Sequence, residues 1–452
     1  MIITVLDFLL LPVYLFMFYA MAKSMAKPYG QTDMRKYLLT AFWLRMFGSI
    51  AYTLVVQFYY GYGDSITYYN GSSFFVSQIM KDASNINYLF VPFKETEAWY
   101  NSIEGDPGFS GYFAAAQGNM VMRISAIFSF LSFHKFMIIS LFFGFFSFAG
   151  QWRLFTVFNE LNGPKDRKLL AYAVLYTPSI WFWGSGLMKD SICLGGIGFM
   201  LNILYRAYQK KKLSIINILV LLVIGYIVMI IKSYILAVVV ASLAVMLFAI
   251  FLKKIKNPVF KFGFVGLFAF AALIVLATLN VTEQILEITQ ESVDQIKGYQ
   301  SVYSNINDAD ESSKAGFASA DVAPTIGGLV SHMPFAIFTC LYRPFLWESR
   351  KITILFTSLE SMVLLYYTLY LMRKTRFFGF FRMIFNSPPL TFCFILSMLF
   401  SLIIGFTTFN FGTMIRYKII LLPFFYFMLV NMYSRTRPAK NEVAAPSPEP
   451  VA

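Results

Sequence analysis

The chain has 452 residues, of which 58% are hydrophobic and only 13% charged, with a mean hydropathy of +0.63. A soluble protein of two or three domains carries about 25% charged residues, so that class is excluded and an all-α polytopic membrane protein is expected. The net charge of +14 does not indicate nucleic acid, because the basic residues stand in small clusters at the ends of apolar runs, as topology signals do. Cys193, Cys340 and Cys393 lie in or beside apolar runs and show no metal or disulfide spacing. Tyr and Trp rings in a chain that is 19% aromatic suit lipid-facing and interfacial surfaces.

In chain order, the first apolar run, 2–22, contains Asp7, lacks a basic start and a small-residue cleavage site, and reads as a retained helix. Positive residues then collect in loops at 23–36, 153–168, 206–212, 253–261, 373–382 and 435–440, which makes these loops cytoplasmic. Residues 61–120 hold six acids and two lysines, and residues 281–325 hold eight acids and two lysines, so both face outward. Spans that satisfy this pattern fall at 2–22, 37–59, 136–155, 168–184, 192–208, 213–231, 236–252, 258–279, 352–372, 389–409 and 418–434. That is about eleven transmembrane helices of roughly 20 residues, with the amino end outside and the carboxyl end cytoplasmic. The apolar pieces 119–133 and 326–342 are short, break the alternation, and read as two re-entrant or interfacial helices. Residues 1–440 are thus expected to form a single transmembrane domain with larger outer loops at 61–120 and 281–325, followed by a disordered cytoplasmic tail at 441–452. No internal repeat is evident, which counts against an inverted-repeat transporter.

The polar groups of interest converge on the outer face in this topology. In Gly61-Tyr62-Gly63-Asp64-Ser65-Ile66-Thr67-Tyr68-Tyr69-Asn70, Asp64 follows an apolar run, where a carboxylate stays ionised at the lipid boundary yet faces a bound lipid. In WFWGSGLMKDS, Trp181 to Ser191, Gly184 and Gly186 are expected to let the backbone turn sharply near a ligand, and Pro178 to kink the preceding helix. Two readings of Lys189 and Asp190 stand there: an interfacial anchor whose charges neutralise each other, or a lysine that pairs with an anionic phosphate. Lys232, in IIKSYI, either snorkels to the surface or shares the outer plane with Lys189. In LYRPFLWES, Arg343 offers a planar fork suited to phosphate and Glu348 a second carboxylate, unless they pair with each other or with headgroups. Glu360 is an intramembrane acid, a functional candidate or a partner for a neighbouring helix. In FNFGTMIRYKIILLPFF, Arg416 and Lys418 run against the positive-inside trend, either balancing the acidic loops or meeting a shared anion. Arg45 and Arg123 are candidates to pair with Asp7 or a lipid phosphate. His134 and His332 have no second ligand at metal spacing, and no Walker loop, GxGxxG or nucleophile elbow occurs.

The aspartate in GDSITYY, the helices that follow it and the late Arg416-Tyr417 before a helix with Pro423 resemble the GT-C class of membrane glycosyltransferases. WFWGSGLMKDS, YRPFLWES and NFGTMIRYKIILLPF are likewise similar to bacterial membrane proteins of polysaccharide-assembly gene clusters, and the resemblance runs from residue 61 to 425. It implies that Asp64 is the general base on an acceptor hydroxyl, and that Lys189, Arg343 and Arg416 hold the phosphate of a polyprenyl-linked sugar donor. The chain departs from the class in an additional helix before the aspartate and in a single acid where the class has a pair. Independently of the class, sugar transfer from a lipid phosphate needs a base, with gains of about 10²- to 10⁴-fold, and preplaced cations for the departing phosphate. The candidate substrate-binding groups are therefore Tyr68, Lys189, Asp190, Lys232, Arg343, Glu348 and Arg416. The expected activity is glycosyl transfer on the outer side of a bacterial cytoplasmic membrane in surface polysaccharide assembly. The expected partners are a lipid-linked donor, a glycan or lipid acceptor and membrane lipids. No cofactor is expected; a divalent metal is compatible with the site but nothing indicates one. The alternatives are an O-antigen-type polymerase or ligase working through outer arginines, a polytopic transporter or flippase, and a non-catalytic scaffold.

Overall fold

The computed structural model describes residues 2–104, 107–257, 326–349, 352–408 and 411–437. The expected span 258–279, the outer loop 281–325 and the tail 441–452 lie outside them. Among the described residues every regular element is helical. Six runs are long and apolar enough to cross a membrane: Val5–Tyr29, Asp33–Tyr60, Phe136–Asn162, Ile215–Lys254, Ile354–Thr375 and Pro388–Thr407. Phe411–Lys418 and Leu422–Thr436, bent by 62°, make a seventh if taken as one span. The chain is a helical membrane protein, and its spans differ from the expected eleven in identifiable places.

Helix α1 (Val5–Ala26) exposes most of its apolar surface. Its buried Asp7 accepts the Thr4 N–H and hydroxyl, both at 2.8 Å, and the Met137 N–H at 3.1 Å. Asp7 therefore satisfies otherwise unpaired donors at two helix starts, and Arg45 and Arg123 find other partners. Helix α2 (Asp33–Val55) runs on through a π turn, Val56–Tyr60, into Gly61 at φ 70° and Gly63 at φ 119°. Those two angles are accessible to glycine and strained for other residues, and they redirect the chain into α3 (Asp64–Lys81).

The stretch expected as an outer loop is a helical layer. After α3 come a 3₁₀ segment, Ala83–Leu89, then α4 (Phe93–Ile103), α5 (Pro107–Ala114) and α6 (Ala116–Leu131). Its core is aromatic, with the Phe74 ring 4.9 Å from both Trp99 and Tyr100 and 5.5 Å from Phe113. Arg123 on α6 donates through Nη2 to the Val91 carbonyl at 2.7 Å and Thr96 Oγ1 at 2.6 Å, joining α6 to α4.

Two helices form the buried centre, α7 (Phe136–Asn162) and α10 (Lys189–Lys210). They approach backbone to backbone: a methyl added at Gly150 would lie 2.0 Å from the Gly195 carbonyl oxygen. Without a hydrophobic effect between helices in lipid, such small-residue contacts supply the packing. The expected span 168–184 is instead two short helices, α8 (Arg167–Leu175) and α9 (Pro178–Trp183). Pro178 excludes the α conformation from Thr177, which sits at ψ 122°. Arg45 of α2 ties this break to α7, donating to Ser147 Oγ at 3.1 Å, to the Ile180 and Gly184 carbonyls at 3.2 and 2.7 Å, and to Gln151.

Helix α11 (Ile215–Lys254) is 40 residues, interrupted at Lys232, where φ is −152° and ψ 81°. A helix that long measures about 60 Å, twice the roughly 30 Å of bilayer hydrocarbon, and the interruption divides it into halves matching the expected spans 213–231 and 236–252. The remaining helices are α12 (Ile326–Tyr342), α13 (Ile352–Thr375), α14 (Phe377–Asn386), α15 (Pro388–Thr407), α16 (Phe411–Lys418) and α17 (Leu422–Thr436).

Candidate functional site

Four helix segments bring their charges to one place. Asp64 is the first residue of α3 and Asp190 the second of α10, positions where the helix dipole favours a carboxylate. Arg416, on the short helix α16, lies between them: its Nη2 donates to Asp64 Oδ2 at 3.0 Å and its Nε to Asp190 Oδ2 at 3.2 Å. Lys232, at the interruption of α11, donates to the other Asp190 oxygen, Oδ1. The Lys232 ammonium also stands 3.7 Å from the centroid of the Tyr417 ring, a cation–π seat next to Arg416 in sequence.

Exposure grades across this cluster. The side chains of Asp190 and Lys232 are 0% and 6% exposed, that of Arg416 20% and that of Asp64 36%. Asp190 and Lys232 thus form the closed end, and Arg416 and Asp64 the accessible end. Lys189 stands at the open end as well. It does not pair with Asp190 as an anchor would; its Nζ donates to Gln117 Oε1 at 3.3 Å and lies 5.9 Å from the Tyr68 ring. Three cations meet two carboxylates here, so the cluster carries one uncompensated positive charge. Among the described residues Arg416 Nη1 makes no hydrogen bond, and neither does Asp64 Oδ1.

Several expected roles change with this geometry. Asp190 and Lys232 are buried and pair with each other, and Asp190 also holds Arg416. Tyr68 is 1% exposed and forms a floor beneath Lys189. Gly184 sits at φ −84°, so it supplies no unusual turn. What requires a glycine is close approach: a methyl at Gly186 would lie 2.1 Å from the Tyr52 ring, and one at Gly184 2.5 Å from Arg45 Nη1. Tyr52 in turn shares a hydrogen bond of 2.8 Å with Ser65, one residue beyond Asp64.

Arg343 and Glu348 pair with each other, and Glu348 also accepts the Phe345 N–H at 2.8 Å. The pair adjoins the opposite side of α16. The Arg343 guanidinium lies 5.3 Å from the Phe411 ring, and Lys418 donates to the Arg343 carbonyl at 3.0 Å and to Ser361 Oγ at 2.9 Å. Arg416 and Lys418 therefore serve two different neighbourhoods. His134 stacks on Tyr69 with ring centroids 4.6 Å apart and contacts Ser73, while His332 lies 5.0 Å from the Phe335 ring.

Sequence reasoning missed Gln117, Tyr52, Ser65 and the role of Tyr417. Ser65 and Tyr417 carried a signal, their adjacency to Asp64 and Arg416. Among the described residues no three His, Cys, Asp or Glu side chains gather as a metal site. Compared with known proteins, the chain matches no family model, and no curated protein or solved structure gives a significant match.

Proposed function

We propose that the protein is a GT-C-type glycosyltransferase that moves a sugar from a polyprenyl-phosphate donor on the outer side of a bacterial cytoplasmic membrane, in surface polysaccharide assembly. The observation that carries this reading is the meeting of Asp64 with Arg416, 352 positions apart in sequence, beside Lys189 and over the buried Asp190–Lys232 pair. In the proposed reaction the acceptor oxygen bonds to the anomeric carbon as the carbon–oxygen bond to the lipid phosphate breaks. The acceptor proton goes to Asp64 through Oδ1, and the electron pair leaves on the phosphate. Arg416 Nη1 and Lys189 Nζ stabilise that leaving charge, and the excess positive charge of the cluster favours an anion there. Asp190 and Lys232 hold Arg416 in place.

An O-antigen-type polymerase or ligase is the second reading. One observation favours it: Asp64 already serves as a counterion to Arg416, a role that requires no proton transfer. The two separate in a deletion strain complemented with wild type, Asp64→Asn or Arg416→Ala at matched expression, scored by surface glycan and lipid-linked sugars. The transferase reading expects the deletion to accumulate a lipid-linked sugar, and Asp64→Asn to clear it at least about 10²-fold more slowly. Normal glycan with Asp64→Asn but not with Arg416→Ala selects the polymerase. Unchanged glycans and lipid-linked sugars in the deletion strain overturn both.

A further inference from the structure

A second polar site lies away from the Asp64 cluster, in a cleft of about 490 Å³ walled by α8, α9, α13 and α17. Its walls are apolar except for tyrosines, Thr177 and one carboxylate, Glu360. The Glu360 carboxylate accepts the Ser179 N–H through Oε1 at 2.8 Å. Its second oxygen, Oε2, is buried and has no hydrogen-bond partner among the described residues, and the same is true of Ser179 Oγ. Lys418, beside Glu360 at Ser361, acts on Glu360 through its charge, but its hydrogen bonds go to Ser361 and the Arg343 carbonyl. A buried carboxylate oxygen in an apolar wall calls for a donor or a cation from elsewhere.

The aromatic lining selects between those. The Tyr433 ring is engaged by Lys374 at 5.8 Å and by Arg437 at 5.0 Å. Tyr172, Tyr176, Tyr367 and Tyr426 also line the cleft. Tyrosine rings lining a cleft with a single carboxylate are residue types that stabilise an organic cation, by ring quadrupole and by charge. Tyr172, Phe356, Leu359 and Val363, which line the cleft, are 55%, 57%, 48% and 54% exposed, an apolar rim of the kind that meets lipid in a membrane-spanning chain. We infer that this cleft binds a hydrophobic organic cation entering from the bilayer, with its charge at Glu360. The volume falls within the range of small-molecule sites, about 300–1,000 Å³.

Tetraphenylphosphonium and tetraphenylborate test this as probes of near-equal shape and opposite charge. Binding of the radiolabelled phosphonium to the full-length protein in nanodiscs is expected to be saturable. It should be outcompeted by unlabelled phosphonium but not by the borate. Glu360→Gln, which keeps an acceptor for the Ser179 N–H, is expected to weaken binding about tenfold or more, as loss of roughly 1.4 kcal/mol would. Val363→Trp, which fills the rim, should do the same, whereas Asp64→Asn should change nothing. Binding no higher than in empty nanodiscs overturns the inference, as does equal competition by the borate or a Glu360→Gln effect under twofold. Normal glycan assembly by Glu360→Gln would keep the two sites distinct.

Discussion

Asp190 is the residue on which the cluster depends. Its two carboxylate oxygens are both committed, Oδ1 to Lys232 and Oδ2 to Arg416, and its side chain has no exposed surface. Removing one partner of a buried ion pair leaves the other charge uncompensated in low dielectric, typically at a cost of about 3–5 kcal/mol. Asp190→Asn should therefore lower the melting temperature of the purified protein in detergent more than Asp64→Asn, because the Asp64 side chain is 36% exposed and water screens its loss. The double variant Asp190→Asn/Lys232→Met should recover part of that loss, since no unpaired ammonium remains. Strictly additive losses in the two single variants and the double would show that the pair is not coupled and that Lys232 is held by Tyr417 alone. The sequence marked Asp190 as interesting and offered Lys189 as its partner in one of two readings; the partners are Lys232 and Arg416. Lys189 is adjacent in the chain, yet adjacent residues at a helix start point in different directions, and the partners that count come from other helices.

At the scale of elements, the central pair of helices depends on the absence of side chains. A methyl at Gly150 would meet Gly195 and one at Gly198 would lie 2.1 Å from the Gly150 carbonyl oxygen, so backbone stands where a flexible side chain would otherwise give way. Gly150→Val is expected to force α7 and α10 apart, with a loss of at least about 1–3 kcal/mol and visible as aggregation on size exclusion. Gly225, midway along the first half of α11, is the control: a methyl there would come no closer than 4.0 Å to Met200 Cε. Gly225→Ala should hold or raise stability by up to about 1 kcal/mol through helix propensity. Equal damage from both would mean that the close approach does not govern packing. Hydropathy located most of these helices, because burial in lipid is a property of the segment itself. It merged α8 and α9 because apolar content continues through Thr177 while the backbone does not, and Pro178 was read as a kink when it ends one helix and begins the next. Residues 61–120 were expected as an outer loop because they hold six acids and two lysines; what packs their helices together is the shared aromatic core around Phe74.

Across the whole molecule, the charged residues of the candidate substrate-binding set, which sequence alone had to treat separately, fall into two neighbourhoods divided by α16, one around Asp190 and one around Arg343. No local pattern could have sorted them, since the decisive contact joins residue 64 to residue 416 and pairing over that distance leaves no trace in spacing. What sequence does carry is charge asymmetry, and with the geometry it makes a testable orientation. Helix α10 is not one of the six runs apolar enough to cross by itself, but it has Lys189 at its first residue and Lys210 at its last, 21 positions and hence about 32 Å apart, close to the roughly 30 Å of the hydrocarbon layer. The Lys210–Lys212 cluster at its end is the kind that remains cytoplasmic, so the orientation expected from charge has Lys189, Asp190 and the Asp64 cluster outside. Single cysteines test this directly, because the native Cys193, Cys340 and Cys393 are buried and should stay silent. A membrane-impermeant maleimide should label Tyr62→Cys, at a position 61% exposed just before Asp64, in intact spheroplasts. It should label Lys212→Cys, also at an exposed position, only after permeabilisation. The reverse pattern would place the cluster on the cytoplasmic face, where a soluble activated sugar is at hand and a lipid-phosphate donor facing outward is not, and the proposed reaction would lose its substrate.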